Sequence, residues 1–369
     1  MTQYPRELAR ALHLCSVHTK MYGTDIQLKP IPDEPRPGYL DPRRLEMTVK
    51  AKRQRESAPP PCPPTLEEMR AEMGFPGWNM NTVAIWTAYE EHVWNGNLVR
   101  IWVYYPRKPE GKTGRPGLVY LHGGGWIGGS PYDLEGSCRL IAERADCVVF
   151  NIDYSLAPEK PWPNGFQDCW TALCHIYKTA EKYGADPAKL AIGGDSAGGN
   201  LAAACCLKDR DEGTHMLRYA ALMYPALTFA GTGIRDYRWS IEDYDICEEQ
   251  RDLIDPGISI ARPVDGDPER IMGVVGNMYL PEGADPRHPY ISPMFAKDFK
   301  GLCKTLIVTA EFDGLRIQDE LYAKMLRADG VETRVLRYKG MFHGFFEELG
   351  LVPQAEDLCQ EIADDLRAL

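Results

Sequence analysis

The stretch AIGGDSAGGN, residues 191–200, surrounds Ser196 with four glycines and two alanines, and it overlaps the end of the apolar run KLAI. An apolar run followed by such small residues predicts a strand that turns sharply into a helix, with Ser196 on the turn. Gly194 and Gly198 complete the pattern G-x-S-x-G, in which glycine avoids the collision that a bulkier residue would cause two positions from the serine. A glycine-rich turn that cradles a phosphate is the alternative interpretation.

Apolar runs alternate with helical patterns on both sides of this stretch. The runs that predict strands are GLVYLH (117–122), CVVFNID (147–153), KLAIGGD (189–195), YAALMYP (219–225), TLIVTAE (305–311) and TRVLRYK (333–339). Helical patterns fall near residues 134–144, 164–183, 196–208, 316–329 and 354–368. This alternation is typical of an α/β protein and predicts a mainly parallel, doubly wound sheet. A hairpin precedes it, because NGN (95–97) separates AIWTAYEEHVW from LVRIWVYYP.

The domain organisation follows from where this alternation begins and where it is interrupted. Residues 1–83 lie outside it and predict short helices, with Asp41 as an N-cap and with Thr65 and Glu68 as a capping box. A proline-rich stretch within that segment, SAPPPCPPT (57–65), predicts an extended connector. We therefore expect a helical N-terminal segment at 1–83 and an α/β domain at 84–369, with an insertion at about 226–300; these segments receive their roles of cap and catalytic domain from the resemblance described below.

Composition excludes several classes of function. The 369 residues include 42 basic and 53 acidic side chains, and the formal charge of −11 disfavours nucleic acid as a partner. The first 20 residues lack the apolar core of a signal peptide, and the longest uncharged run is too short to span a membrane, so a cytoplasmic protein is expected. Eleven cysteines without a CxxC pair indicate neither a disulfide framework nor a zinc site.

Three further groups of residues have the order along the chain that a serine hydrolase requires. HGGGW (122–126) follows a strand, where consecutive glycines can turn their amides toward one point, although a flexible loop is the alternative. Asp313 and His343 each follow a later strand, and the order is serine, acid, histidine. Taken alone, Asp313 could cap a helix, and His343 could be an ordinary loop histidine.

The competing candidates for the acid and the histidine are weaker. Glu311 precedes Asp313 by two residues, so in a regular strand both carboxylates would project to the same face and alternation could not separate them. The later position of Asp313, beside a glycine, favours it as the acid. Among the other histidines, His13 and His18 are assigned to the N-terminal helix, His175 to mid-helix and His288 to the insertion.

These motifs together resemble the hormone-sensitive-lipase-like family of α/β-hydrolase esterases. The resemblance covers roughly residues 84–369 and rests on HGGGW, DYSLAPEKPWP (153–163), GDSAGGN (194–200), TAEFDGLR (309–316) and FHGF (342–345). It implies an α/β-hydrolase fold with a helical cap, made from the N-terminal helices and the insertion. Ser155 and Gly314 depart from the arginine and proline usual in the family, at supporting positions.

The resemblance also implies the roles of particular residues. Ser196 would be the nucleophile, His343 the general base and Asp313 its orienting acid; the oxyanion hole would be formed by the N–H groups of Gly124, Gly125 and Ala197. Trp126 is expected to contact the substrate.

The expected activity is serine carboxylic ester hydrolysis, in which the triad cleaves small acyl esters of small molecules through an acyl-enzyme intermediate, without a metal or organic cofactor. Hydrolysis of amides or peptides by the same triad and a catalytically silent ligand-binding protein are the alternatives. The motifs are compatible with a monomer or a homo-oligomer.

Overall fold

A ten-stranded sheet forms the centre of the computed structural model, which describes residues 2–15, 17–57, 64–74, 77–106, 114–259 and 272–369. In chain order the strands are β1 Val17–Met21, β2 Thr24–Lys29, β3 Trp86–Trp94, β4 Asn97–Tyr105, β5 Arg115–Leu121, β6 Val148–Asp153, β7 Ala185–Asp195, β8 Leu217–Met223, β9 Lys304–Phe312 and β10 Thr333–Phe342. They lie in the order β1-β2-β10-β9-β8-β7-β5-β6-β4-β3.

The seven neighbouring strands β2, β10, β9, β8, β7, β5 and β6 run parallel to one another. Antiparallel pairs flank them at both edges of the sheet. Parallel strands are covered on both faces, which explains their nearly continuous apolar runs. In β5, for example, Leu118, Val119, Tyr120 and Leu121 are all buried. The predicted mainly parallel sheet is confirmed.

Helices cover the sheet on both faces. In chain order they are α1 Arg6–Leu14, α2 Pro42–Glu56, α3 Leu66–Ala71, α4 Glu135–Ala145, α5 Asn164–Thr179, α6 Ala197–Asp211, α7 Arg251–Ile258, α8 Gly273–Tyr279, α9 Arg316–Ala328 and α10 Pro353–Arg367. Helices α1, α4 and α10 contribute Leu12, Leu140 and Leu358 to one buried cluster. Helices α5, α6 and α9 contribute to a separate cluster. Two such layers make the sheet doubly wound.

The N-terminal segment is not wholly helical, contrary to the prediction. Residues 17–29 form a hairpin whose second strand pairs with β10, so this segment extends the central sheet. His18 therefore lies in β1 and not in a helix. The chain turns at Tyr22 and Gly23, both with positive φ, and Ile26 points into the core. The alternation Ile26-Gln27-Leu28 carries a strand signal, but it is too short to stand out in the sequence.

Local helix signals in the same segment are confirmed. Asp41 caps α2 by accepting a hydrogen bond from the backbone N–H of Arg43, and Thr65 and Glu68 form the predicted capping box of α3. The connector prediction at 57–65 falls mostly on residues 58–63, which lie outside the described residues. The insertion expected at 226–300 contains α7 and α8. Its division from the catalytic domain stays a prediction.

A search of the described helices finds none that is both long enough and apolar enough to cross a membrane.

Candidate active site

Ser196 lies on a sharp turn between the end of β7 and the start of α6. Its backbone has φ 53° and ψ −116°, a strained conformation that exposes the side chain above the carboxyl edge of the sheet. The flanking glycines are sterically required. A Cβ on Gly194 would lie 2.4 Å from the carbonyl oxygen of Gly198, and a Cβ on Gly198 would lie 2.0 Å from that of Leu121. Packing around the turn therefore explains the small residues on both sides of the serine.

Two residues at other strand ends extend a chain of hydrogen bonds from this serine. Nε2 of His343 lies 2.8 Å from Oγ of Ser196, and Nδ1 of His343 lies 2.8 Å from Oδ2 of Asp313. Asp313 directly follows β9, and His343 directly follows β10. The other oxygen of the buried Asp313 carboxylate, Oδ1, accepts a hydrogen bond of 2.9 Å from the N–H of Leu315. The three residues form a continuous chain of hydrogen bonds from a carboxylate to a hydroxyl.

The carboxylates around His343 set its basicity. Burial lowers the pKa of the imidazole, but the negative charge and hydrogen bond of Asp313, together with the charge of Asp195, raise it above its usual value. The edge of the His343 ring packs against Tyr224, with 4.9 Å between centroids. The ring is thus positioned by packing on one side and by a carboxylate on the other.

The structure separates the two carboxylates that alternation could not. Glu311 lies within β9, where it forms an ion pair with Lys339 and accepts a 2.8 Å hydrogen bond from the N–H of Gly340. Asp313 lies beyond the strand end, so its direction no longer follows the strand alternation. Of these two, it is Asp313 that contacts His343.

The glycine loop after β5 lies beside the serine. Gly124 has φ +105° and Gly125 has φ +59°, conformations in which a side chain would be strained. The N–H of Gly123 is occupied, because it donates to Oδ1 of Asp195 at 3.0 Å. Ala197 is the first residue of α6, and the N–H groups of a first helical turn lack intrahelical partners. Gly124 and Gly125 line the same cavity as Ser196.

A cavity of about 440 Å³ opens at the serine. Met73 and Glu72 contribute to its wall from the chain after α3, and Met272 and Val275 contribute from the insertion. Trp126 also lines the cavity, but only 2% of this residue is exposed, and its ring stacks on Tyr279. Both segments expected to form the cap therefore reach the cavity, and Trp126 presents only a small surface to it.

A second cavity, of about 560 Å³, also includes His343 in its lining. It lies between α2 and α7 and is lined by Arg44, Lys52, Leu253 and Phe342, among others. The two groups of potential metal ligands found among the described residues lie outside both cavities.

Comparison with known proteins identifies the family to which this fold belongs. A family model for the alpha/beta hydrolase fold matches residues 118–347, which is more than half of the chain. The chain belongs to the α/β-hydrolase fold family. Carboxylic ester hydrolase LipN of Mycobacterium tuberculosis is 34% identical to this α/β hydrolase over 267 residues, which are 71% of this chain and 65% of LipN.

Two further relatives extend the comparison of this α/β hydrolase. Arylacetamide deacetylase of Bos taurus is 32% identical over 285 residues, covering 66% of this chain and 71% of that protein. The hyperthermophilic esterase of the archaeon Pyrobaculum calidifontis superposes with a TM-score of 0.72 at 27% identity, covering 89% of this chain and 98% of that structure. The resemblance to hormone-sensitive-lipase-like esterases is confirmed, and this membership makes the protein an enzyme of the serine esterase class.

A supporting network in this α/β hydrolase escaped the sequence analysis. Asp195 is buried beside Ser196 and accepts hydrogen bonds from the hydroxyl of Tyr120, at 2.8 Å, and from the N–H of Gly123. The hydroxyl of Tyr154 donates to the carbonyl of His122 at 2.7 Å. Burial raises the pKa of Asp195 to about 6 despite these bonds. Asp195 within GDSAG and Tyr154 within DYSLAP were part of quoted motifs, but their contacts join strands distant in the chain.

Proposed function

We propose that the protein hydrolyses carboxylic esters of small molecules through Ser196, His343 and Asp313. The observation that carries this proposal is the pair of 2.8 Å contacts that link the serine hydroxyl to the imidazole and the imidazole to the carboxylate. That chain of hydrogen bonds stands beside glycines whose amides can face a developing oxyanion. This arrangement matches the requirements of acyl transfer.

In the first half of the reaction, the hydroxyl of Ser196 attacks the ester carbonyl while Nε2 of His343 accepts its proton. Asp313 holds the proton on Nδ1 and stabilises the imidazolium that forms. The carbonyl oxygen becomes an oxyanion, which the N–H groups of Gly124, Gly125 and Ala197 stabilise. Collapse of this intermediate transfers the proton from His343 to the leaving alcohol and leaves an acyl group on the serine.

In the second half, a water molecule takes the place of the alcohol. His343 removes its proton, the hydroxide attacks the acyl carbonyl, and the same amides stabilise the second oxyanion. Collapse of this intermediate breaks the bond between the acyl carbon and Oγ of Ser196, and His343 returns its proton to that oxygen, which releases the acid and restores the free serine. Asp195 holds the loop of Gly123 in place throughout, because its carboxylate joins that loop to Tyr120 in the sheet.

The size and lining of the cavities support a small substrate. The cavity of about 440 Å³ beside the oxyanion glycines has apolar wall residues in Met73, Met272 and Val275, so it suits a short apolar acyl group. The cavity of about 560 Å³ that also includes His343 in its lining has space for the alcohol part, which must leave toward the proton donor.

Amide hydrolysis is the second candidate. One relative with 32% identity bears the name arylacetamide deacetylase, and an amide would use the same serine, histidine and oxyanion amides. The two reactions differ in the leaving group, since an amine must be protonated by His343 before it departs.

The decisive experiment combines a substrate panel with one variant. Purified protein is assayed on nitrophenyl acetate, butyrate and octanoate and on matched nitroanilides, with and without a chelator. We expect hydrolysis of short esters that persists in the chelator. Ser196→Ala should lower kcat by about 10⁶, as removal of the nucleophile does in other triads, at an unchanged melting temperature.

A fluorophosphonate supplies an independent readout. It should label the wild-type chain once, at the peptide that contains Ser196, and should not label Ser196→Ala. Labelling of another residue, or retention of half the esterase activity in Ser196→Ala, would refute the assignment. Faster turnover of the nitroanilides than of the nitrophenyl esters would favour the amide alternative.

A further inference from the structure

Three side chains converge on one point on the side of the sheet that α5 covers. Glu90 and His92 lie two residues apart on the edge strand β3, so they share a face, and His175 projects from α5. Nε2 of His92 lies 2.9 Å from Oε2 of Glu90, and Nε2 of His175 lies 3.1 Å from the same oxygen. The three atoms lie within 4.8 Å of one another.

This spacing is close to that of ligands around one metal ion. Zinc binds imidazole nitrogen and carboxylate oxygen at about 2.0–2.2 Å, so tetrahedral ligands stand about 3.3 Å apart. The two contacts to Oε2 of Glu90 are shorter than that by only a few tenths of an ångström. Two imidazoles and one carboxylate are also a donor set that zinc accepts, with water in the remaining position. Each imidazole is about one quarter exposed, so solvent and ions can reach the cluster.

The surroundings keep the donor atoms in place. Oε1 of Glu90 is engaged by Lys182, at 2.6 Å, and by the hydroxyl of Tyr183, which leaves Oε2 to the imidazoles. The ring of Trp94 stacks on His92 with 4.5 Å between centroids. Partners of this kind orient metal ligands and fix their protonation.

The other group of potential ligands serves as a contrast. His13 lies 3.2 Å from Oε1 of Glu361, but the ammonium of the buried Lys29 lies 2.5 Å from the same oxygen. A fixed positive charge thus occupies the atom that a metal would need. In the cluster of Glu90, His92 and His175, the ammonium of Lys182 engages the other carboxylate oxygen, so it does not occupy the oxygen that faces the imidazoles.

We propose that Glu90, His92 and His175 form a binding site for a divalent transition-metal ion, with zinc as the best match, that fastens the edge strand β3 to α5. Glu90, His92 and His175 do not line the catalytic cavity, so we assign no part in ester hydrolysis to the proposed site. The proposal does not depend on the proposed function.

The test uses the full chain, stripped with a chelator and desalted. Zinc titration by calorimetry, with bound metal measured by elemental analysis, should give one zinc per chain that survives desalting. Saturating zinc should raise the melting temperature by a few degrees, because an ion that binds only the folded state stabilises it. Hydrolysis of a nitrophenyl ester should change less than twofold.

Matched variants locate the site. His92→Asn, His175→Asn and Glu90→Gln should each weaken zinc binding at least tenfold and abolish the rise in melting temperature, whereas His13→Asn should leave both unchanged. Circular dichroism of the metal-free variants checks that they fold. Absence of zinc binding to the wild-type chain would overturn the proposal and leave a hydrogen-bonded cluster only. Equal binding by wild type and all three variants, or loss of binding in His13→Asn alone, would also overturn it.

Discussion

Replacement of the triad acid by its amide tests the site at a single atom. In Asp313→Asn the side chain keeps its shape, and its oxygen can keep the 2.9 Å hydrogen bond from the N–H of Leu315. That bond fixes the orientation of the amide, because the NH₂ group must then occupy the place of Oδ2, which lies 2.8 Å from Nδ1 of His343. An NH₂ group facing Nδ1 donates a hydrogen bond where the carboxylate accepted one.

The imidazole must respond by moving its proton. Nδ1 has to accept, so the proton moves to Nε2, which faces Oγ of Ser196 at 2.8 Å and can no longer accept the hydroxyl proton. Replacing the triad acid of a serine hydrolase by asparagine lowers kcat by about 10⁴, which corresponds to about 5.4 kcal/mol of transition-state stabilisation. We expect a loss of that size for Asp313→Asn, with a melting temperature within a few degrees of the wild type.

Glu311→Gln is the matched control, because it removes one carboxylate from β9, two residues before Asp313. Its amide oxygen can still accept from the N–H of Gly340, and the loss of the ion pair with the partly exposed Lys339 should cost about 1 kcal/mol or less of stability. We expect kcat within a few-fold of the wild type. Both variants are assayed on one short nitrophenyl ester and melted by calorimetry. A severe loss in Glu311→Gln combined with a mild effect of Asp313→Asn would refute the assignment of the acid.

Three further outcomes follow from the geometry and charge of the site. Activity should rise with pH through the pKa of His343, and the midpoint should lie above 6.5 because the neighbouring carboxylates raise this pKa more than burial lowers it. A rate that stays constant from pH 5 to 8, with chemistry rate-limiting, would contradict a histidine base. Gly124→Ala should lower kcat by about 10²–10³, because a Cβ there would lie 2.2 Å from the carbonyl oxygen of Gly128 and would displace the oxyanion amide. Gly330→Ala is the control: Gly330 also has a positive φ of +84°, but no atom lies within 4 Å of the added Cβ, so only stability should change. Equal losses of activity in the two variants would contradict the oxyanion role of Gly124. Glu347 lies on the cavity wall, and burial and nearby carboxylates raise its pKa to about 8, so its protonated form stabilises the folded state at low pH and this stabilisation is lost as the pH rises through 8. Glu347→Gln should therefore raise the free energy of unfolding more at pH 9 than at pH 5, by up to several kcal/mol. Denaturant titration that shows the reverse order would contradict this environment of Glu347.

Short-range sterics and capping were readable from the sequence. Gly194 and Gly198 collide with backbone atoms if a Cβ is added, and the turn around Ser196 is set by a few neighbouring residues. Asp41 and Thr65 cap helices through hydrogen bonds that span two or three residues. The mainly parallel sheet follows from apolar runs that alternate with helical patterns, because each pattern reflects burial of one element.

Other features depend on contacts between distant segments, and no local pattern encodes them. The hairpin at residues 17–29 forms because β10 offers an edge to β2, where Gln27 pairs with Leu336, 309 residues later in the chain. The carboxylate of Asp195 supports the glycine loop only when Tyr120 lies beside it. The same holds for Glu90 and His175, which are 85 residues apart and meet only because α5 packs on β3. The sequence alone determined which reactive groups follow each strand and, through steric effects that act over a few residues, the sharp turn at Ser196. Tertiary packing decided which of these groups touch, because that depends on the burial energy of the whole sheet and its helices.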